Sequence, residues 1–199
     1  MTEKVRYGLL STAQIGLNAH YPASIESEIS EIVSVSSRSA KRAKEVANRN
    51  NIERWYGSYE EQLADPDVDA IVNCLPNGMH CEWTIKAAET GKHILCEKPL
   101  AISVEECVKM IDAAKANQVI LVEAFTHRWN SHLIKARSLV SEGVIGKVQT
   151  LESALCFHVK DPKNNVRFSK SLVEVPYGTQ DVMPSMLCVL LWTLSLKRL

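Results

Sequence analysis

Residues 8–16 read GLLSTAQIG and follow directly on a charged and apolar opening, MTEKVRY. A dinucleotide-binding turn asks for three small residues between a first strand and a first helix. One permits the tight bend, one lets the backbone approach a pyrophosphate, and one lets helix and strand pack closely. Here those places hold Ser11, Ala13 and Gly16, with Thr12, Gln14 and Ile15 between them. Ser11 is small and its hydroxyl can bond the local backbone, whereas Ala13 adds a methyl group where close approach matters. A helix starting at Gly16 would present free N–H groups to a phosphate. Taken alone, so degenerate a pattern reads equally as an ordinary strand-to-helix turn.

The flanking chain favours the dinucleotide reading. Apolar and β-branched runs alternate with helical-period segments, the pattern of βαβ units in a parallel sheet. Strands are expected at 5–10, 31–37 (EIVSVSS), 70–75 (AIVNCL), 93–96 (HILC) and 119–123. Helices are expected at 16–28, 40–50, 59–64, 81–90 (closed by Gly91) and 104–117. This predicts an α/β fold, a doubly wound parallel sheet over residues 1–122, about the usual size of one domain. Beyond it, a helix over 131–142 closed by Gly143 and a long alternating strand over 147–158 suit the start of a second, α+β domain over 123–199.

Composition narrows the partners. The chain has 199 residues, 46% of them hydrophobic, with Lys plus Arg and Asp plus Glu both at 23 and a formal net charge of +0. No long-range field attracts nucleic acid or an anionic membrane, so a small-molecule partner is expected. The six cysteines show no C-x-x-C pair or zinc-ligand spacing, so no metal site is expected and they read as reduced thiols of a cytoplasmic protein. The N-terminus is too weakly apolar for a signal peptide, and no run reaches the length of a membrane span.

Three short segments carry chemistry. The second strand ends in Ser36, Ser37, Arg38 and Ser39 without the acid that would bond a ribose 2′-hydroxyl. Arg38 with Ser37 therefore points to the 2′-phosphate of NADP, with NAD as the alternative cofactor, and at least one of Lys41 and Arg42 reads as a solvated helix face. The segment CLPNGMH puts Pro76, Asn77 and His80 at the carboxyl end of a buried strand, where ligands sit in open parallel sheets. The next strand ends in CEKP, with Glu97, Lys98 and Pro99. A lysine drawn into a cleft gives up its proton more readily and suits proton transfer. A surface lysine paired with Glu97 is the plain alternative.

Together, GLLSTAQIG, SVSSRS, GSYEEQLADPDVDAIVNCLPNGMH, GKHILCEKPLA and EAFTHRW resemble, in order and spacing, the glucose-fructose oxidoreductase, inositol dehydrogenase and rhizopine-catabolism (Gfo/Idh/MocA) family. The opening VRYGLLSTA is similar to the branch with NADP-dependent xylose dehydrogenases and dihydrodiol dehydrogenases. The resemblance implies a Rossmann domain followed by an open antiparallel sheet. It also implies hydride transfer between a nicotinamide and a carbinol carbon of a sugar, polyol or dihydrodiol. Under it, Lys98 is the catalytic lysine on the substrate hydroxyl, Glu97 orients it, and Pro99 shapes the turn, typically through a cis bond. Asn77 and His80 would line the cofactor, and Glu123 and Arg128 would lie near nicotinamide and substrate. Trp55, His127 and Trp129 read as packing or loop residues. The family's homo-oligomer is expected to be weakened here.

The resemblance fades after about residue 168. The family's D-x-G-x-[H/Y] segment, whose His or Tyr completes the active site, is absent, and the chain ends SLVEVPYGTQDVMPSMLCVLLWTLSLKRL. A displaced reading frame over QDVMPSML can encode Gly-Cys-Tyr-Ala-Ile-Asn-Ala, because the single codon of Met183 forces Tyr, His, Asn or Asp in that frame. The expectation is an incomplete second domain, aberrant after about residue 168, and the alternative to an active oxidoreductase is a truncated, catalytically silent nucleotide-binding protein of the same family.

Overall fold

A computed structural model of the chain describes residues 4–150 and 152. Six strands, β1 (Val5–Leu10), β2 (Ser30–Ser36), β3 (Arg54–Tyr56), β4 (Ala70–Asn73), β5 (His93–Cys96) and β6 (Leu121–Glu123), form one sheet in the order β3-β2-β1-β4-β5-β6. Every pairing is parallel. The central strands are apolar on both faces because helices cover both. Leu10, Ile71 and Ile94 pack with Tyr59, Leu63, Trp83 and Met110 on one side. Leu9, Val35 and Val72 pack with Ala47 and Ile52 on the other. Between β1 and β2 the register steps from Tyr7↔Ile32 to Gly8↔Ser34, leaving Val33 as the extra residue.

The helices are α1 (Tyr21–Glu26), α2 (Ala40–Asn50), α3 (Tyr59–Leu63), α4 (His80–Glu89), α5 (Val104–Ala116) and α6 (Ser131–Ser141). Ser39, Ser58 and Ser103 cap α2, α3 and α5 by accepting the N–H groups of Arg42, Glu61 and Glu106. Gly91, at φ +76, follows α4 in the left-handed conformation that ends helices. Gln62 is fully buried and bonds Ser34 and Ser36 beneath the sheet. A Cβ at Gly8 would stand 2.7 Å from Gln62 Nε2, so this strand position needs glycine.

Several expectations change. The helix expected over 16–28 is a π-helix, Gly16–His20, running into the shorter α1. The strand expected over 70–75 stops at Asn73, whose side-chain oxygen accepts the Leu75 N–H and turns the chain out of the sheet. β3 was not anticipated: three residues carry no readable alternation, and pairing with β2 forms it. Residues 147–150 are not strand. The remainder of the strand expected over 147–158, except for residue 152, and the tail after 168 lie outside the described residues.

The chain divides into two compact units, Met1–Ala124 and Phe125–Leu199. In the second, Asn130 caps α6, its side chain accepting the His132 N–H at 3.0 Å. Among the described residues no helix is long and apolar enough to cross a membrane.

Candidate cofactor and catalytic site

Strand order reverses between β1 and β4, and ligands of open α/β sheets bind beyond the carboxyl ends of the strands at that point. The turn after β1 begins with Ser11 at φ +102, a conformation glycine adopts freely and serine does not. Its hydroxyl offsets the strain locally: Ser11 Oγ donates to Cys74 O and accepts the Ala13 N–H, both at 3.2 Å. A Cβ on Gly16 would come within 3.3 Å of Cys74 Sγ, so this glycine permits the close packing of helix on strand. Gln14 and Ile15 are exposed. No side chain caps the π-helix that follows Ile15, but the chain is already helical at Gln14 and Ile15. The Leu17 N–H donates to Ala13 O at 3.3 Å, so the N–H groups this helix start offers a ligand are those ahead of Leu17, from Gln14 to Gly16.

The ribose side of the turn holds two arginines. Ser37 is buried, its N–H bonded to Tyr56 O, and Arg38 beside it is exposed. Burial raises the Tyr59 pKa, and the neighbouring Arg38 opposes that rise, placing this guanidinium on the α3 side. Arg42 reaches the opposite way: its Nε donates to Thr12 Oγ1 at 2.8 Å, joining the first turn of α2 to the β1 turn. Of the Lys41–Arg42 pair, then, Arg42 touches the turn and Lys41 is exposed. No linear motif distinguishes the two; the helical reach from residue 42 back to Thr12 does.

After β4, Pro76 leads into a short 3₁₀ turn, Asn77–Met79. Asn77 is buried and its Nδ2 has no hydrogen-bond partner. An amide in that condition is costly unless a ligand meets it. With the uncapped helix and the Ser11 turn, it fits a dinucleotide laid across this edge.

His80 takes a different place from the expected one. It is fully buried, with Nδ1 2.8 Å from Pro99 O and Nε2 2.8 Å from Leu75 O. Both ring nitrogens are engaged by protein, so none is left for a cofactor. The side chain joins the turn after β4 to the turn after β5.

The lysine turn is held from several directions. Glu97 N donates to Asn73 O at 3.0 Å, and the Lys98–Pro99 bond is cis. Glu123 Oε1 accepts the Leu100 N–H at 2.8 Å, so Glu123 acts on the turn's backbone. Lys98 is half-buried, and among the described residues no hydrogen bond or ion pair engages its Nζ. Burial works to raise the Glu97 pKa, but a hydrogen bond and charge from His20, with smaller contributions from Lys98, hold it below the ordinary range. His20 has no motif around it, and only the folded π-helix brings it to Glu97. Arg128 belongs to the second unit, where it stands 5.8 Å from the Phe125 ring centroid.

The family model described as "Oxidoreductase family, NAD-binding Rossmann fold" matches residues 5–125. The chain belongs to the Gfo/Idh/MocA oxidoreductases. Among curated relatives of this Gfo/Idh/MocA chain, a D-xylose 1-dehydrogenase (NADP(+)) of Haloferax volcanii is 38% identical over 166 residues, 83% of this chain and 50% of the relative. A trans-1,2-dihydrobenzene-1,2-diol dehydrogenase of Xenopus tropicalis is 35% identical over 123 residues, 62% of this chain and 37% of the relative. Among solved structures, a 3-ketoreductase from Actinomadura kijaniata in complex with NADP and TDP-benzene superposes with a TM-score of 0.79 at 26% identity, covering 85% of this chain and 52% of that one. The chain spans about half the length of the curated relatives it matches over more than four fifths of its own length.

Proposed function

We propose that this chain is the cofactor-holding half of an NADP-dependent oxidoreductase that moves a hydride between nicotinamide and a carbinol carbon of a sugar, polyol or dihydrodiol. The observation that carries the reading is the convergence, at one sheet edge, of an uncapped helix, the unpartnered Asn77 amide, two arginines and Lys98. When bound, NADP supplies the hydride acceptor. Ser11 to Gly16 would hold its pyrophosphate, Arg38 with Ser37 its 2′-phosphate, Arg42 the turn itself through Thr12, and Asn77 its nicotinamide-side groups. Lys98, on a turn fixed by Glu97, Pro99 and Glu123, would take the hydroxyl proton of the substrate as the hydride leaves, and return it in the reverse direction.

Titration of NADP and NAD against intrinsic fluorescence tests this. NADP is expected to bind at least about tenfold more tightly, consistent with one or two charge-assisted hydrogen bonds. Arg42→Ala together with Arg38→Ala is expected to abolish the preference. Equal affinities in the unaltered chain would remove the assignment. Because the chain spans about half of its relatives, the 199-residue polypeptide alone is expected to bind NADP with little turnover on xylose, glucose, inositol or a dihydrodiol. Rates normal for a dehydrogenase, abolished by Lys98→Ala, would instead make the short chain an enzyme in its own right.

A further inference from the structure

His20 lies on the π-helix whose first residue, Gly16, ends the cofactor turn. Single π-turns accommodate an unusual side-chain placement and recur at functional sites. Here the irregular turn brings His20 Nε2 to 2.8 Å from Glu97 Oε1, across 77 residues of sequence. Both side chains are largely shielded, at 16% and 12% exposure. The other carboxylate oxygen, Oε2, accepts the Lys98 N–H at 3.2 Å. Glu97 is thus held at one oxygen by the cofactor helix and at the other by the backbone of the lysine.

We propose that His20 is a positioning residue of the lysine turn: it aims the Glu97 carboxylate and so ties the pyrophosphate-binding helix to Lys98. The inference deepens the oxidoreductase reading and rests on it for the role of Lys98, but the His20–Glu97 bond stands on geometry alone. The groups facing Glu97 are His20 from the π-helix, Lys98 on its own turn, and the thiols of Cys74 after β4 and Cys96 at the end of β5. Burial pushes both thiols up, so neither brings a negative charge at neutral pH. Among these groups His20 alone contributes a side-chain hydrogen bond to the carboxylate. Without it, the strongest influence opposing burial at this carboxylate would be lost.

The test follows the Glu97 carboxyl carbon by NMR in the full 199-residue chain labelled at glutamate, the resonance being assigned by its loss in Glu97→Gln. In His20→Leu the titration midpoint of Glu97 is expected to rise by about one pH unit or more. His20→Asn, polar but too short to reach, is expected to give the same rise, which keeps the test decisive if the leucine variant does not fold. His20→Gln retains an N–H donor of similar reach and should restore most of the original midpoint. NADP affinity, read by fluorescence, should fall about fivefold or more in the Leu and Asn variants and recover in Gln, about one kcal/mol of lost positioning. An unmoved Glu97 midpoint in both breaking variants overturns the inference. A raised midpoint with unchanged NADP affinity overturns the tie to the cofactor helix. Failure of the unaltered chain to bind NADP would overturn the oxidoreductase reading instead, and the carboxyl titration would still decide whether His20 aims Glu97.

Discussion

The two ends of the parallel sheet treat polar groups in opposite ways. At the amino ends, Arg6 bonds Asp69 through Nε and Nη2, and Asp67 through Nη1. Arg54 and the Tyr56 hydroxyl converge on Asp65, and Lys92 Nζ donates to the carbonyls of Asp65 and Val68 at 2.6 Å each. At the carboxyl ends, among the described residues, Asn77 Nδ2 has no partner and Lys98 Nζ is free, and Ser11 sits in a strained conformation. The amino edge meets most of its donors within the protein, the buried Arg54 Nε being an exception, and so serves chiefly stability. The carboxyl edge leaves donors unmet among the described residues, where the proposed function puts a ligand. Substitutions at the two edges should separate into these classes.

The largest stability effect is expected at Asp65. Its side chain is 8% exposed and accepts from Tyr56 at 2.6 Å, Arg54 at 2.9 Å and the Asp67 N–H at 2.9 Å. Asp65→Ala leaves the Tyr56 hydroxyl and the Asp67 N–H without their acceptor and Arg54 Nη1 with Asp67 alone, and a loss of about 3 kcal/mol is expected in denaturant unfolding. NADP affinity should be unchanged in the folded fraction. An affinity loss larger than the stability loss would break the separation of the two edges. The same network sets the acid response. Burial tends to raise the Asp65 pKa, but Tyr56, Asp67 and Arg54 together hold it below the ordinary carboxylate range. Asp69 is lowered chiefly by its hydrogen bond to Arg6. A carboxylate depressed in the folded state contributes its full stability above the unfolded pKa and loses it as pH falls through the folded value. The midpoint of thermal unfolding should therefore be level above about pH 5 and fall steadily below about pH 4, with a shallower fall in Asp65→Asn.

The opposite result is expected at Asn77. Among the described residues its buried Nδ2 makes no hydrogen bond, so Asn77→Ala should change stability by less than about 0.5 kcal/mol. NADP should bind roughly tenfold more weakly, the value of one hydrogen bond to a ligand. A destabilised variant with unaltered affinity would show that the amide serves the fold, and the contrast between the edges would fail there.

Legibility in sequence follows a similar divide between local and distant causes. The sheet was readable because buried parallel strands must be near-continuous apolar runs, as in AIVNCL and HILC. The lysine turn was readable because Glu97, Lys98 and Pro99 are neighbours. β3 was missed because RWY is too short to show a period, and the π-helix because one extra residue per turn leaves no mark on an eleven-residue pattern. His20 and Arg42 were missed for a common reason: each acts on a residue 77 or 30 positions away, and only the folded chain makes the pair. His80 was found for its position and misread for its role, since sequence cannot tell a ring that faces a ligand from one that joins two carbonyls.

The smallest effect is expected at Ser11, where two opposing contributions nearly cancel. Holding a non-glycine residue at φ +102 costs on the order of 1–3 kcal/mol, and glycine would remove that cost. Glycine also removes the hydroxyl, which makes two hydrogen bonds at 3.2 Å worth about 1 kcal/mol each, and it enlarges the unfolded ensemble by roughly 0.5–1 kcal/mol. Ser11→Gly should therefore leave stability within about 1 kcal/mol of the unaltered chain and NADP affinity equal or slightly higher. Ser11→Ala keeps the strain and loses both bonds, so it should be destabilised by about 1–2 kcal/mol. Equilibrium unfolding of the two variants side by side separates the contributions. If alanine were neutral, the hydroxyl would not be compensating the turn, and the serine would be tolerated there without the local support that its two bonds describe.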